Sequence, residues 1–235
     1  ATVAGNNSFT VLVNGSASCT FTINVLPNDY YPRTSSSNWS YEFDDVVNDS
    51  LYRTATTNTT ILSNTYTIFM QNDGTGLDSG GYYRRSGSDY IEWFDFGTWI
   101  SLDAPAWTEY TLLKEGNAVG TPWISGTVSG TVTSPPSPPV PISVRFEYKI
   151  LQKNVPISIT SSGSPATVTY QDVIEVEEKI WYNVGAGWID GTVLLDYYGK
   201  SYYARGVGLI KFEAFQANNT PYAGSRQELR RFRIF

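Results

Sequence analysis

From residue 143 the chain alternates: Val144, Phe146, Tyr148 and Ile150 fall on one side, Arg145, Glu147 and Lys149 on the other. A period of two is what a strand shows when one face meets a core and the other meets water. The same alternation recurs at 208–215, where Ile210, Phe212 and Ala214 oppose Lys211 and Glu213, and at 229–235, where Phe232 and Ile234 oppose Arg231 and Arg233. These three segments are expected to lie in one sheet as antiparallel neighbours. Near the N-terminus Phe9, Val11 and Val13, then Cys19, Phe21, Ile23 and Val25, alternate on either side of Asn14 and Gly15, a pair suited to a tight hairpin turn. Helical periodicity is almost absent, and Gly, Asn, Asp and Pro punctuate short apolar runs. The pattern predicts an all-β protein with little helix, a predominantly antiparallel sheet arranged as a sandwich or a curled half-barrel.

Residues 1–26 read as an N-terminal β-hairpin that either packs on the rest of the chain or ends a preceding repeat, because a two-stranded ribbon alone is marginal, and it resembles segments that close immunoglobulin-like repeats in exported proteins. Residues 27–235 read as a single antiparallel β domain. Within it, 134–141 (SPPSPPVP) is expected to be an extended loop, since each proline removes a ladder donor. Ala1 stands where an initiator Met would, and the start reads as a cut in a longer precursor.

Charge and composition narrow the chemistry. Sixteen basic against 22 acidic residues give a net charge of −6, the wrong sign for neutralising phosphates, so nucleic acid is not an expected partner. The chain has no histidine, which excludes Ser-His-Asp and Cys-His nucleophiles and imidazole acid–base work. Cys19 stands alone, so neither an internal disulfide nor a cysteine zinc site can form. No cofactor and no metal site is expected, and no apolar run approaches the ~20 residues of a membrane helix.

The densest candidate stretch is Asp89–Trp99 (DYIEWFDFGTW), where carboxylates sit among large rings. As a strand it puts Tyr90, Glu92, Phe94 and Phe96 on one face and Asp89, Ile91, Trp93 and Asp95 on the other. Glu92 flanked by aromatics is an arrangement that raises a carboxyl pKa, and paired carboxylates are what glycoside hydrolysis needs. Tyrosine doublets recur at Tyr30-Tyr31, Tyr82-Tyr83, Tyr197-Tyr198 and Tyr202-Tyr203; in a strand each shows one ring to the core and one outward, where it can stack on a sugar or anchor a partner. The ligand-binding candidates are Tyr82, Tyr83, Tyr90, Glu92, Trp93 and Trp99, with Tyr197 and Tyr198; no catalytic residue is assigned. Gln71–Asp78 lacks the register of a calcium loop and reads as a turn between strands. Asp44, Asp45 and Asp49 read as a solvated strand end. Gly206-Val207-Gly208 lacks a third glycine and a following helix, so it reads as a strand entry and not a phosphate loop. Trp39, Trp123 and this glycine pair are expected to be framework.

Four segments in order carry a resemblance. Residues 30–41 (YYPRTSSSNWSY) resemble a Y-F-P-L-x-x-G-N-x-W-x-Y opening, and 112–123 (LLKEGNAVGTPW) resemble L-L-x-x-P-L-x-V-G-x-x-W. Residues 170–176 (YQDVIEV) are similar to F-x-D-V-I-x-V, and 202–211 (YYARGVGLIK) to Y-Y-A-x-G-V-G-L-V-K. Together they resemble uncharacterised secreted or lipid-anchored β-rich proteins of Bacteroidetes-type bacteria, with Arg33 and Ser37 departing from the usual Leu and Gly. The resemblance implies a bacterial, exported protein of the cell surface, periplasm or extracellular space, and carries no catalytic residue across. The expected function is a non-enzymatic, exported binding module for a glycan, lipid or protein partner. The alternatives are a carboxylate-pair glycan hydrolase using Glu92, or a structural spacer in a longer surface protein.

Overall fold

The computed structural model describes residues 5–13, 16–25, 27–43, 50–74, 76–134, 136–161 and 166–235, the first two segments and Ser50 by their backbone. The chain is all-β. The strands are β1 (Gly5–Val13), β2 (Ser16–Val25), β3 (Asn38–Phe43), β4 (Ser50–Ile61), β5 (Asn64–Asn72), β6 (Leu77–Ser86), β7 (Asp89–Asp95) and β8 (Trp107–Lys114). They continue with β9 (Pro122–Val132), β10 (Val140–Thr160), β11 (Thr167–Asn183), β12 (Trp188–Asp190), β13 (Tyr198–Ala204), β14 (Gly208–Phe215) and β15 (Gln227–Arg233). Among the described residues two short helices interrupt them, α1 (Phe96–Trp99) after β7 and α2 (Gly191–Leu195) after β12.

β1 and β2 pair only with each other in a sheet of their own, Phe9 opposite Phe21. The Asn14-Gly15 turn expected between them, and the acidic cluster at Asp44, Asp45 and Asp49, lie outside the described residues. The remaining strands follow one antiparallel path, β8-β7-β6-β5-β4-β3-β15-β14-β13-β11-β10-β9, with β12 attached to β11. Sequence neighbours are therefore sheet neighbours nearly throughout, and the last strand closes onto β3, with Phe232 opposite Trp39. The sheet curls into a nearly closed, barrel-like form of 12 strands. The curled alternative is thus the one adopted, with a seam between β8 and β9.

The alternation read along the chain has its expected consequence. Val144, Phe146, Tyr148 and Ile150 are all buried, as are Ile210 and Ala214. One expectation needs correcting: the three segments share one sheet and β14 and β15 are neighbours, but β10, beyond β13 and β11, pairs with neither β14 nor β15. Alternation reports which face is apolar and carries no information on which strand pairs with which. The proline-rich segment links β9 to β10. The ladder resumes at Val140, two residues earlier than the proline count suggests, and Pro141 lies opposite Thr131 where β10 has only β9 beside it. A missing N–H is tolerated at such an edge.

The seam is closed by side chains instead of a ladder. The Trp123 indole on β9 donates to the Thr111 carbonyl on β8 at 2.9 Å, and the Thr111 N–H donates to the Ser125 hydroxyl. The loop after α1 crosses the same gap: Asp103 accepts from the Thr133 N–H at 2.9 Å and from the Thr131 and Thr133 hydroxyls on and beside β9. Gly126 on β9 has a positive φ of 61°, and a Cβ there would stand 2.9 Å from the Phe96 ring. Its bareness lets Phe96 wedge against the seam, fully buried between Tyr110 and Phe146 at ring distances of 5.1 and 4.8 Å.

One side of the sheet is locked by the segment before β3. Tyr30 and Tyr31 are both buried, Tyr31 stacking on Tyr83 at 4.7 Å. Trp39 donates its indole N–H to the Val207 carbonyl at 2.6 Å, inside the glycine-flanked turn that joins β13 to β14. Ser37, which stands where the Y-F-P-L-x-x-G-N-x-W-x-Y pattern has Gly, is buried and accepts the Phe235 N–H at 3.2 Å.

Candidate functional site

Strand register decides which side chains meet. Tyr82 lies opposite Trp93, and Tyr83 opposite Glu92, across β6 and β7; Glu92 in turn lies opposite Tyr110 on β8. Beyond the seam Tyr148 on β10 lies opposite Glu178 on β11. The Tyr110 and Tyr148 rings stack across the seam at 6.4 Å and 12°. One inward-facing row therefore reads Tyr83, Glu92, Tyr110, Tyr148, Glu178, each carboxyl standing beside a phenol and the two phenols Tyr110 and Tyr148 meeting at the seam.

Three cavities with shared lining residues adjoin this row. An outer groove of about 450 Å³ is lined by Tyr82, Trp93, Phe94, Trp99 and Trp107, with Arg53, Gln71, Asp78, Ser79, Glu92, Asp95 and Thr98 as its polar groups. An inner cavity of about 250 Å³ shares Arg53 and Glu92 with the groove and adds Tyr31, Tyr83, Tyr110, Glu178, Ser201 and Tyr203. A third space of about 180 Å³ shares Phe94 and Trp99 with the groove, and Tyr110 and Glu178 with the inner cavity.

In the groove, Trp93 and Trp107 lie nearly parallel, 6.3 Å apart at 19°, and Tyr82 meets Trp107 edge-on at 6.4 Å. Trp99 and Trp107 are 51% and 49% exposed, large for indoles that a core would otherwise claim. Asp95 is committed to structure: it caps α1, accepting from the Thr98 N–H at 3.2 Å and the Ala106 N–H at 2.8 Å, and these hydrogen bonds outweigh burial to hold its carboxyl below the usual range. Asp78 and Gln71 remain on the wall as polar groups facing the same space.

At the groove's floor the electrostatics change. Glu92 is 7% exposed, and burial raises its pKa against the Tyr110 hydroxyl, which donates to it, and the Arg53 charge. Gly81 makes room for it: a Cβ there would stand 2.6 Å from the Glu92 Oε1, in a backbone with φ of +112°. Burial pushes Glu178 up to about 7, with a hydrogen bond from Tyr148 opposing and the Glu92 charge adding. Arg53 donates from Nη2 to the Gly80 carbonyl at 2.8 Å and to the Tyr83 hydroxyl at 3.2 Å, while its buried Nε–H has no partner.

Of the sequence-predicted residues, Tyr82, Glu92, Trp93 and Trp99 meet in the groove, and Tyr83 lines the inner cavity beside Glu92. Tyr90 does not join them. It is buried, accepts the Tyr30 N–H at 3.0 Å and donates to Glu115 at 3.1 Å. Tyr197 and Tyr198 belong to the other half of the sheet, Tyr197 edge-on to Tyr222 and Tyr198 stacked on Phe215 while donating to Asn219 at 2.7 Å. Sequence reading missed Arg53, Trp107 and Glu178. Alternation held the signal for two of them: Arg53 falls between Leu51 and Ala55, and Glu178 between Val176 and Ile180, all four buried neighbours. The Gln71–Asp78 segment joins β5 to β6, as expected, Gln71 pairing with Asp78 and Asn72 with Leu77 in the ladder and the Asn72 side chain accepting the Gly74 N–H. Among the described residues no three His, Cys, Asp or Glu side chains gather to hold a metal, and no helix is long and apolar enough to cross a membrane.

No family model and no curated protein matches the chain. Similar solved structures include a protein described as a lipoprotein from Parabacteroides distasonis, with TM-score 0.51 and 13% identity over 88% of this chain and 99% of that one. Another is a protein described as exported, with a YmcC-like fold, from Bacteroides fragilis, with TM-score 0.42 and 10% identity over 86% and 98%. The first of these shares the fold over nearly its whole length.

Proposed function

We propose that this chain is an exported, non-enzymatic binding module whose ligand is a glycan held in the outer groove. The observation that carries the reading is the combination of two half-exposed indoles, Trp99 and Trp107, with the nearly parallel Trp93–Trp107 pair and a polar wall of Gln71, Asp78 and Ser79. Sugar rings present an apolar face to an aromatic platform and hydroxyls at their edges, so a groove with rings on one wall and carboxylate, amide and hydroxyl groups on the other suits them. A lipid chain would leave that polar wall desolvated and unpaired. Export is supported by the sequence resemblance and by the lipoprotein description of the Parabacteroides protein that shares the fold. The acidic net charge and the absence of histidine support a role other than nucleic-acid binding or imidazole catalysis.

The hydrolase reading has one observation in its favour: Glu92 and Glu178 line the same inner cavity and repel one another. Glu178 does not line the groove, however, so a glycan lying there meets only one member of the pair. The test is a glycan-binding screen on the purified chain, repeated with Trp93→Ala and Trp107→Ala and followed by product analysis. Binding lost in both variants, without cleavage, fits the module. Cleavage abolished by Glu92→Gln in a folded protein overturns it.

A further inference from the structure

The space of about 180 Å³ beside the seam has an unusual lining: Phe94, Phe96, Trp99, Tyr110, Phe146 and Tyr148, with Glu178 as its one charged side chain. The rings do not lie in a single stack. Tyr110, Phe146 and Tyr148 stack within 26° of one another, whereas Phe94 and Phe96 cross at 90°, Phe96 and Trp99 at 86°, and Phe96 and Tyr110 at 74°, so the rings that line the space stand in at least two orientations. Neither Lys nor Arg lines it. The groups that face Glu178 are Tyr148 from β10, Glu92 from β7, Tyr203 from β13 and Tyr197 just before β13. None of them is a cation, and phenols and a second carboxyl leave the Glu178 charge without a counter-ion. Aromatic rings attract cations through the negative faces of their π systems, most strongly where water is excluded. A cavity of this size is below the ~300–1,000 Å³ of pockets that enclose whole drug-sized ligands, so it takes a headgroup whose remainder leaves past half-exposed Trp99 into the groove.

We propose that this aromatic cage, closed at its base by Glu178, is a binding site for an organic ammonium group. The site stands apart from the glycan reading: it shares Phe94 and Trp99 with the groove, but its base, Glu178, belongs to the inner cavities, and Trp107 belongs to the groove alone. The cation is recognised by its charge and its apolar shell together, which a metal ion or a bare sugar does not offer.

The probe is choline, titrated into the whole chain by calorimetry and by tryptophan fluorescence, beside 3,3-dimethylbutan-1-ol, its uncharged isostere. Choline is expected to bind saturably and the isostere at least about tenfold more weakly, in line with one desolvated cation–π contact plus a carboxylate. Glu178→Gln, which keeps the shape of the side chain, is expected to remove that preference, and Trp99→Ala at the exposed mouth to weaken choline severalfold. Trp107→Ala is expected to leave choline binding intact while removing glycan binding. Co-sedimentation with phosphatidylcholine vesicles but not phosphatidylglycerol vesicles would assign the ammonium to a lipid headgroup, and choline binding without sedimentation would assign it to a soluble amine. Equal binding of the isostere, no saturable choline binding, or choline binding unchanged in folded Glu178→Gln would overturn the site.

Discussion

Arg205 and Arg53 both reach tyrosine hydroxyls, and they end in opposite states. Arg205 has a partner at every nitrogen: Nε on Asp172, Nη1 on Asn28 and on Glu115 at 3.1 Å, and Nη2 on the Tyr30 hydroxyl at 2.9 Å. Despite burial, the hydrogen bonds from Tyr30 and Arg205 hold the Asp172 carboxyl below its usual range. Arg53 makes no ion pair among the described residues, and its buried Nε–H is unpaired. Arg53 borders both kinds of packing: with Tyr31, Trp39, Phe69 and Gly208 it lines a free space of only about 10 Å³, near the minimum for one water, and with Glu92 it lines the groove of about 450 Å³. A saturated network holds the chain together; an unsaturated one beside a cavity marks where a ligand can complete it.

The largest expected difference between the two regions is in tryptophan truncation. Trp39→Ala empties a packed site and orphans the Val207 carbonyl, and is expected to cost ~3–5 kcal/mol in urea unfolding. Trp107→Ala, at a half-exposed ring, is expected to stay within about 1 kcal/mol of the parent. Similar losses in both would erase the distinction between framework and groove.

Second in size is a pH effect confined to the cavity side. Glu178 titrates near 7 in the folded chain and at about 4.5 when unfolded, so between those values the folded state binds the extra proton. Stability contributed by that proton is therefore present below about 4.5 and lost as pH rises through 7, a fall of about 3 kcal/mol at full effect. Asp172 acts in the opposite sense and only below its unfolded value, where protonation costs the Arg205 network. Denaturation curves from pH 4.5 to 8 are expected to show the fall in the parent and a flatter profile in Glu178→Gln. A parent profile that rises with pH over that range contradicts the assignment.

The smallest contrast is between the arginines themselves. Arg205→Met removes ion pairs from both Asp172 and Glu115 and is expected to lose about 1–3 kcal/mol, whereas Arg53→Met removes the bonds to the Gly80 carbonyl and the Tyr83 hydroxyl together with an unpaired buried N–H, and is expected to lose less than Arg205→Met. Thermal or urea midpoints measured side by side check the order.

The division between these regions was only partly legible in the sequence. Strand class, the inward face of 143–150 and the candidacy of Glu92, Trp93 and Trp99 follow from alternation and aromatic density, which are local properties of the chain. Pairing is not local. That Glu92 shares a row with Tyr110 and, across the seam, with Tyr148 and Glu178 depends on a sheet closing over nearly its whole circumference. Arg53 hides among threonines and Glu178 in an acidic run that reads as solvated, although each occupies an inward position of its own strand. Tyr90 misled for the complementary reason. Its ring looks like a platform in sequence, but the Tyr30 segment, distant along the chain, covers it.

The central claim is that the open, unsaturated side is a glycan site on a non-enzymatic module. Its most direct test is a glycan array probed with the parent chain and with Trp107→Ala, both first shown to share one unfolding midpoint. The account predicts saturable binding of a glycan by the parent, its loss in Trp107→Ala, and recovery of the glycan uncleaved. Binding of equal strength by the two proteins, or release of cleaved products, would contradict it.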